Sequence, residues 1–410
     1  MTTVPSKGKA YIVGTFDTKA EELRYVGALL RGAGIPTVLV DVGTKSSSAD
    51  ADVPAETVAS HHPDGVDAVF RAGERGIAVD AMRDALQAFM RTCTDVGGII
   101  GLGGSGGTAI ITPTMQRLPI GMPKVMVSTL ASGDISRFIG VSDIIMMFPV
   151  TDIAGLNRVS RVVLGNAAHA LAGMMVRDIP ETGDDKPSIG ISMFGVTTPC
   201  VQQLTASLSG TFDCQVFHAN GPGGRALEAL TASGLFRGVV DVTTTEAADY
   251  LFGGVCSAGP DRFEAVARAD VPWVGSCGAL DMVNFWAMDT VPERYRGRLL
   301  HSHNAHVTLM RTSADEMVAI GEWLAGKLNR SRAPVRLLIP EGGLSMLDAP
   351  GQPFFDPAAN EALFASLERS FQASETHRIV RVPHHINDPA FVEELVQHVH
   401  DVMGDRPSSG

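Results

Sequence analysis

Little in this chain invites a disulfide, a membrane or a nucleic acid. Its five cysteines, Cys93, Cys200, Cys214, Cys256 and Cys277, are scattered over 410 residues, odd in number and without a Cys-x-x-Cys pair. That argues against a disulfide frame or a zinc ribbon and predicts a reducing, cytoplasmic setting. Basic residues are in the minority: 33 Lys and Arg stand against 45 Asp and Glu, for a formal charge of −12. Without a basic patch to meet a phosphate backbone or an anionic bilayer, neither nucleic acid nor membrane is expected as a main partner. No unbroken apolar stretch approaches the length that spans a bilayer. The opening "MTTVPSKGKAYIVG" runs directly into a strand pattern, without the apolar core of a secretory leader.

What is present is a composition that can bury substantial cores, 45% hydrophobic and 19% charged, at a length suited to two or three domains. Short apolar runs alternate with segments of helical period nearly throughout, which predicts a parallel α/β architecture. "KAYIVG", "TVLVDVG", "VGGIIGL", "KVMVST" and "DIIMMFP" read as strands of a first half. A polar, turn-rich stretch after the second of these reads as a long excursion or lid. "IPETGDDKP", 179 to 187, is the best boundary, dividing domains at 1–182 and 187–404. Beyond it the rhythm restarts with "SIGISMFG", "CQVFHA", "GVVDVT", "VPWVGS", "RLLHS", "VRLLIP" and "IVRVP".

In an open parallel sheet, ligands bind outside the carboxyl ends of the strands. The first half's loops there are "GTFDTK" (14–19), "GLGGSGGT" (101–108) and "STLASGD" (128–134), glycine and hydroxyl sequences suited to an anion. Gly101, Gly103 and Gly106 spell G-x-G-x-x-G, but in a later crossover than a nicotinamide fold requires, and no Lys follows to make a Walker loop. Phosphate binding survives both failures; tight strand-to-helix packing is the other explanation. Asp17 and Lys19 read either as a helix cap and a solvated cation or as phosphate and metal contacts.

In the second half, "NGPGGRALEAL" sets Gly224 and Arg225 at a helix start, which suits an anion or is an ordinary turn. Thr197 and Thr198 follow the first strand there, and "TTTE" (243–246) adds three more hydroxyls. "HSHNAH" (301–306) and "HHINDP" (384–389) are His-rich. If "LLHSH" is a strand, His301 and His303 share a face. Two such loops could hold a metal or supply an acid–base pair, though the spacing matches no zinc signature. Cys200 lies at a helix start, where a thiol can be activated, or is a buried inert thiol.

The blocks "VGTFDTKAEEL", "GLGGSGGT", "STLASGD", "FPVTDIAGLNRVSR", "GVTTPCV", "GGRALEAL", "DVTTTEAAD", "HNAHVTLMRT" and "HINDPAF" follow one another in the order of a known family. The chain resembles the family of ATP-binding domains represented by the inhibitory N-terminal domain of the tomato mosaic virus resistance protein. That resemblance implies two consecutive Rossmann-like domains with mainly parallel sheets, a homodimer, an ATP site and, from relatives, a separate TIM-barrel partner. The family pattern has proline after its His-Asn pair, where this chain has Ala305 and His306, so it implies no role for His306 and no three-histidine metal site.

The expected function is binding of ATP or a related phosphorylated molecule, in a nucleotide-dependent enzyme of carboxylate or sugar-acid metabolism. Phosphates are expected on the N–H groups of Gly103, Gly104, Ser105, Gly106 and Gly107, assisted by Gly14, Thr15, Thr108, Ser128, Thr129, Thr197 and Thr198. Lys19 or Arg225 would offset charge, with Asp17 and Gly224 beside them and Mg²⁺ as the companion ion. His303, Asn304, Arg311 and His385 are the expected catalytic groups, facing a second small substrate across a cleft. Two other classes stay open: a non-catalytic nucleotide-binding module acting through protein partners, and a nucleotide-independent hydrolase or lyase using His301, His303 and His385.

Overall fold

A computed structural model describes residues 8–45, 50–179 and 186–404. The linker expected at 179–187 falls largely outside that range. The chain divides into two compact units, 1–182 and 183–410, each built on its own sheet.

The first unit holds strands β1 (Lys9–Gly14), β2 (Thr37–Asp41), β3 (Val96–Gly103), β4 (Lys124–Ser128) and β5 (Ile145–Met147). All pair in parallel, in the order β2-β1-β3-β4-β5. Alternation along the strands serves both faces, as a doubly covered parallel sheet requires. Ile12, Ile100, Leu102, Val125 and Val127 pack on the helices Phe16–Gly32 and Arg158–Val176. Tyr11, Val13, Ile99 and Met126 face the helices Arg75–Thr92 and Ser105–Arg117.

The second unit repeats this plan. β6 (Ser188–Met193), β7 (Asp213–His218), β8 (Gly238–Thr243), β9 (Trp273–Gly278), β13 (Val335–Pro340) and β14 (His377–Val382) form a parallel sheet ordered β14-β13-β9-β8-β6-β7. A three-stranded antiparallel ribbon, β10 (Met282–Phe285), β11 (Leu300–Asn304) and β12 (Val307–Arg311), accompanies it in the order β10-β12-β11. The fold is thus two Rossmann-like α/β domains with mainly parallel sheets.

Two expectations change. The described part of the turn-rich excursion is no lid: it contains two short helices, and Ala55, Val58, Ala59 and Val69 are buried in the first unit's core. "RLLHS" lies in the ribbon rather than the parallel sheet, because it pairs antiparallel with β12, which pairs in turn with β10. Among the described residues, one helix, Arg158–Val176, is long and apolar enough to cross a membrane. Its Leu164, Ala167, Ala168 and Leu171 are buried against the sheet, which accounts for the apolar face.

Candidate functional site

Strand order reverses between β1 and β3, so the loops leaving those strands diverge and open a crevice at their carboxyl ends. Register brings the ends level: Val13 pairs with Gly101, and Gly103 with Ser128. The residues here are bare for a steric reason. A Cβ on Gly103 would lie 2.9 Å from the Gly107 backbone, and one on Gly101 would lie 2.6 Å from Met126 Sδ. Gly103 therefore lets the helix Ser105–Arg117 start directly on the strand end.

Gly104 is the N-cap of that helix and has no capping side chain. Among the described residues, the N–H groups of Gly104, Ser105, Gly106 and Gly107 donate to no protein acceptor, and all four residues are at least partly accessible. A helix start with unpaired donors and its dipole's positive end exposed is an anion site in kind. Around Gly104 there is room: the nearest atom to an added Cβ is Thr129 Oγ1, at 3.7 Å.

The neighbouring hydroxyls have internal duties instead. Thr108 Oγ1 donates to the Gly104 carbonyl at 2.7 Å and is paired with Ser128 Oγ at 2.7 Å, which accepts from the Leu130 N–H. Both hydroxyls are buried, so they fix two loops relative to each other and do not face the crevice. In the first loop, Thr15 Oγ1 pairs with Thr18 Oγ1, and Asp41 at the end of β2 accepts from the Phe16 N–H. Gly14 is packed against Leu23 with no room for a side chain. Lys19 departs from the expected phosphate contact: its Nζ donates to the Ile153 carbonyl at 2.7 Å, at a kink in its helix. Asp17 is exposed at that helix start.

A cation the sequence reading passed over stands near the glycine loop. A Cβ at Gly106 would lie 3.6 Å from Arg75 Nη2. Arg75 opens the helix Arg75–Thr92, is exposed, and makes no ion pair among the described residues. Nothing local in "GERG" signals this; the packing of two helices brings it there.

In the second unit, the corresponding loops are closed by the protein's own groups. At the start of the helix Pro222–Ala232, Glu246 Oε1 accepts from Gly221 N–H at 2.7 Å and Gly224 N–H at 3.2 Å. The anion expected at Gly224 is thus Glu246; a Cβ there would lie 2.0 Å from its carboxylate. Burial raises the Glu246 pKa, opposed by Arg262, whose guanidinium also pairs with Asp241 and Glu228. Arg225 is exposed and reaches only the Ser257 carbonyl. Thr197 Oγ1 pairs with Thr243 Oγ1 at 2.6 Å, and Thr198 donates to the Phe194 carbonyl. Thr244 and Thr245 are buried as well, so this hydroxyl run is scaffold.

The four expected catalytic residues separate. Arg311 is buried, its guanidinium spent on Phe354 O, Thr312 Oγ1 and Asn360 Oδ1. His385 Nε2 bonds to the Ser345 carbonyl and Nδ1 accepts from Asn387 N–H, while Asn387 in turn caps the helix at Cys200. His301 lies edge-on to Phe354. Among the described residues, no three His, Cys, Asp or Glu side chains converge as metal ligands. Cys200 is buried, and its thiol is pushed up to about 12 by burial, which makes it inert.

His303 and Asn304 do line a cavity of about 290 Å³, together with residues from the ends of β6, β7 and β10. The register of β11 against β12 slips between Ser302 and Asn304, leaving His303 as the extra residue of a bulge. Bulges re-aim side chains in this way.

The fold and these rims define a two-domain Rossmann-like protein whose glycine loop leaves a helix start uncapped. Residues 8–180 match the N-terminal domain, and residues 186–403 the C-terminal domain, of the "Uncharacterised protein family (UPF0261)". The chain belongs to the UPF0261 family. It is 56% identical over 394 residues to a UPF0261 protein of Rhizobium meliloti, covering 96% of this chain and 99% of that one. It is 40% identical to a UPF0261 protein of Clostridium tetani, covering 96% and 99%. To the ToMV resistance protein Tm-1(GCR237) of Solanum lycopersicum it is 40% identical over 95% of this chain, which spans 55% of the tomato protein.

Proposed function

We propose that the first unit binds the phosphates of ATP or a related phosphorylated small molecule at the carboxyl ends of β1, β3 and β4. The observation that carries this reading is the run of unpaired N–H groups at residues 104–107, set at a point of strand reversal. Arg75 would add the charge that Lys19, held by Ile153, does not. Exposed Asp17, at the same sheet edge, is the carboxylate available to Mg²⁺, which would neutralise phosphate charge when bound. Thr129, beside Gly104, and exposed Ser105 are hydroxyls placed to assist. The reaction class that fits is nucleotide-dependent activation of a carboxylate or sugar acid. A second reading, a binding module acting through protein partners, takes its support from the tomato relative, which is named for resistance rather than catalysis.

Isothermal titration with Mg-ATP tests the reading. Saturable binding is expected for the wild type. Gly104→Asp, which has space for its side chain but sets a carboxylate against the free amides, should abolish it without lowering the melting temperature. Arg75→Ala should weaken it roughly tenfold, the worth of one charge-assisted contact. Equal ATP affinity in wild type and Gly104→Asp would sink the proposal. ADP release in the presence of carboxylic or sugar acids would favour the enzyme, and its absence the binding module.

A further inference from the structure

The cavity of about 290 Å³ is lined wholly by residues of the second unit, so it owes nothing to the phosphate reading. None of its lining residues is Lys, Arg, Asp or Glu. A full charge of either sign would enter without a counter-charge, which disfavours phosphate, carboxylate and ammonium occupants. Burial lowers the His218 pKa, which favours the neutral form of that lining imidazole.

The walls combine aromatic rings with amides. Phe194 stands edge-on to His218 at 5.1 Å, Trp286 is 58% exposed, and Asn220, His303 and Asn304 supply accessible hydrogen-bonding groups. Asn284 is fully buried; its Nδ2 is spent on Asp249 and Thr245, but its Oδ1 has no partner. Asn284 therefore belongs to the cavity's fixed wall, and the accessible amides are those of Asn220 and Asn304. At about 30 Å³ per water, the space suits roughly ten non-hydrogen atoms.

We propose that this cavity binds a flat, uncharged nitrogen heterocycle of purine size, held against Phe194 and Trp286 and hydrogen-bonded by the exposed side chains of Asn304 and His303. An accessible asparagine amide such as Asn304 can pair with the adjacent donor and acceptor of such rings. A free base and the base of a nucleotide share this chemistry, and the experiment separates them.

Adenine is titrated into the full chain, followed by calorimetry and by tryptophan fluorescence, with Trp286→Phe identifying the reporter. Saturable binding is expected at one site per chain, with benzoate, similar in size but charged, at least tenfold weaker. Gly195 lines the cavity, and a Cβ there meets no atom within 4 Å, so Gly195→Phe should fill space, keep the melting temperature and weaken adenine at least tenfold. If Gly195→Phe proves unstable, His303→Ala, at the exposed bulge, should weaken adenine several-fold. Gly104→Asp should bind adenine normally whatever becomes of ATP, so failure of one reading is distinguishable from failure of the other. If ATP displaces adenine from Gly104→Asp, the occupant is a nucleotide's base; if it does not, a free base or nucleoside is, and both results support the class. No saturable adenine binding, benzoate binding as tightly, or unchanged affinity in a folded Gly195→Phe or His303→Ala overturns the proposal.

Discussion

At the scale of single residues, two glycines with the same sequence appearance do different work. Gly103 is bare because the following helix begins 2.9 Å from where its Cβ would sit, and the amides beyond it are left without acceptors. Gly224 is bare because Glu246 already fills its helix start. Gly103→Ala should cost about 1–3 kcal/mol by forcing the helix off the strand end, with ATP affinity falling alongside. Gly224→Ala should cost about 3 kcal/mol or more, because it expels a buried carboxylate that also pairs with Arg262. Chemical denaturation of both variants checks the order; a Gly224→Ala protein as stable as wild type would refute the internal-anion account. The glycines were legible in sequence as special backbone. Which of them faces a ligand and which faces Glu246, 22 residues further along the chain, was not.

Among secondary-structure elements, the helix Glu246–Phe252 and the strand β10 meet through Asp249 and Asn284. Burial pushes the Asp249 carboxyl up to about 7, against N–H donors from Asn284 and Cys256 that pull it down. In the unfolded chain such a group titrates near about 3.9. The folded state therefore keeps a proton that the unfolded state has lost. Its contribution is fully present below about pH 4 and is lost as pH rises through about 7. Wild-type stability should fall relative to Asp249→Asn across that window, by at most about 1.4 kcal/mol per pH unit for the one proton. The asparagine is accommodated because the Asn284 amide can turn its unpartnered Oδ1 toward it. Parallel pH slopes in the two proteins would exclude this role. The parallel strands and their helices were readable from apolar rhythm, whereas β10 and β12 were not, since Asn284 and Thr308 interrupt their patterns and are buried by pairing.

Across the whole molecule, each unit encloses its own hydrophobic clusters on both faces of its own sheet. Polypeptides spanning 1–182 and 183–410 should therefore each fold separately, with cooperative thermal transitions and helical far-UV spectra. A fragment that melts without cooperativity would mean that its core depends on the other half. The division was visible in sequence as a polar, proline-bracketed stretch between two restarts of the strand rhythm.

By itself, the sequence determined the alternation of strands and helices, the two-part division and the bare backbone at 101–107, because these follow from local period and from glycine's missing side chain. Tertiary structure alone decided which polar groups remain available. It spent Lys19, Arg311, Thr197 and His385 on partners distant in the chain, brought Arg75 to the glycine loop, and gathered His303 and Asn284 around one cavity. The physical reason is that a buried donor or acceptor takes whichever partner packing delivers, and that delivery is set by sheet order and register rather than by neighbours in sequence.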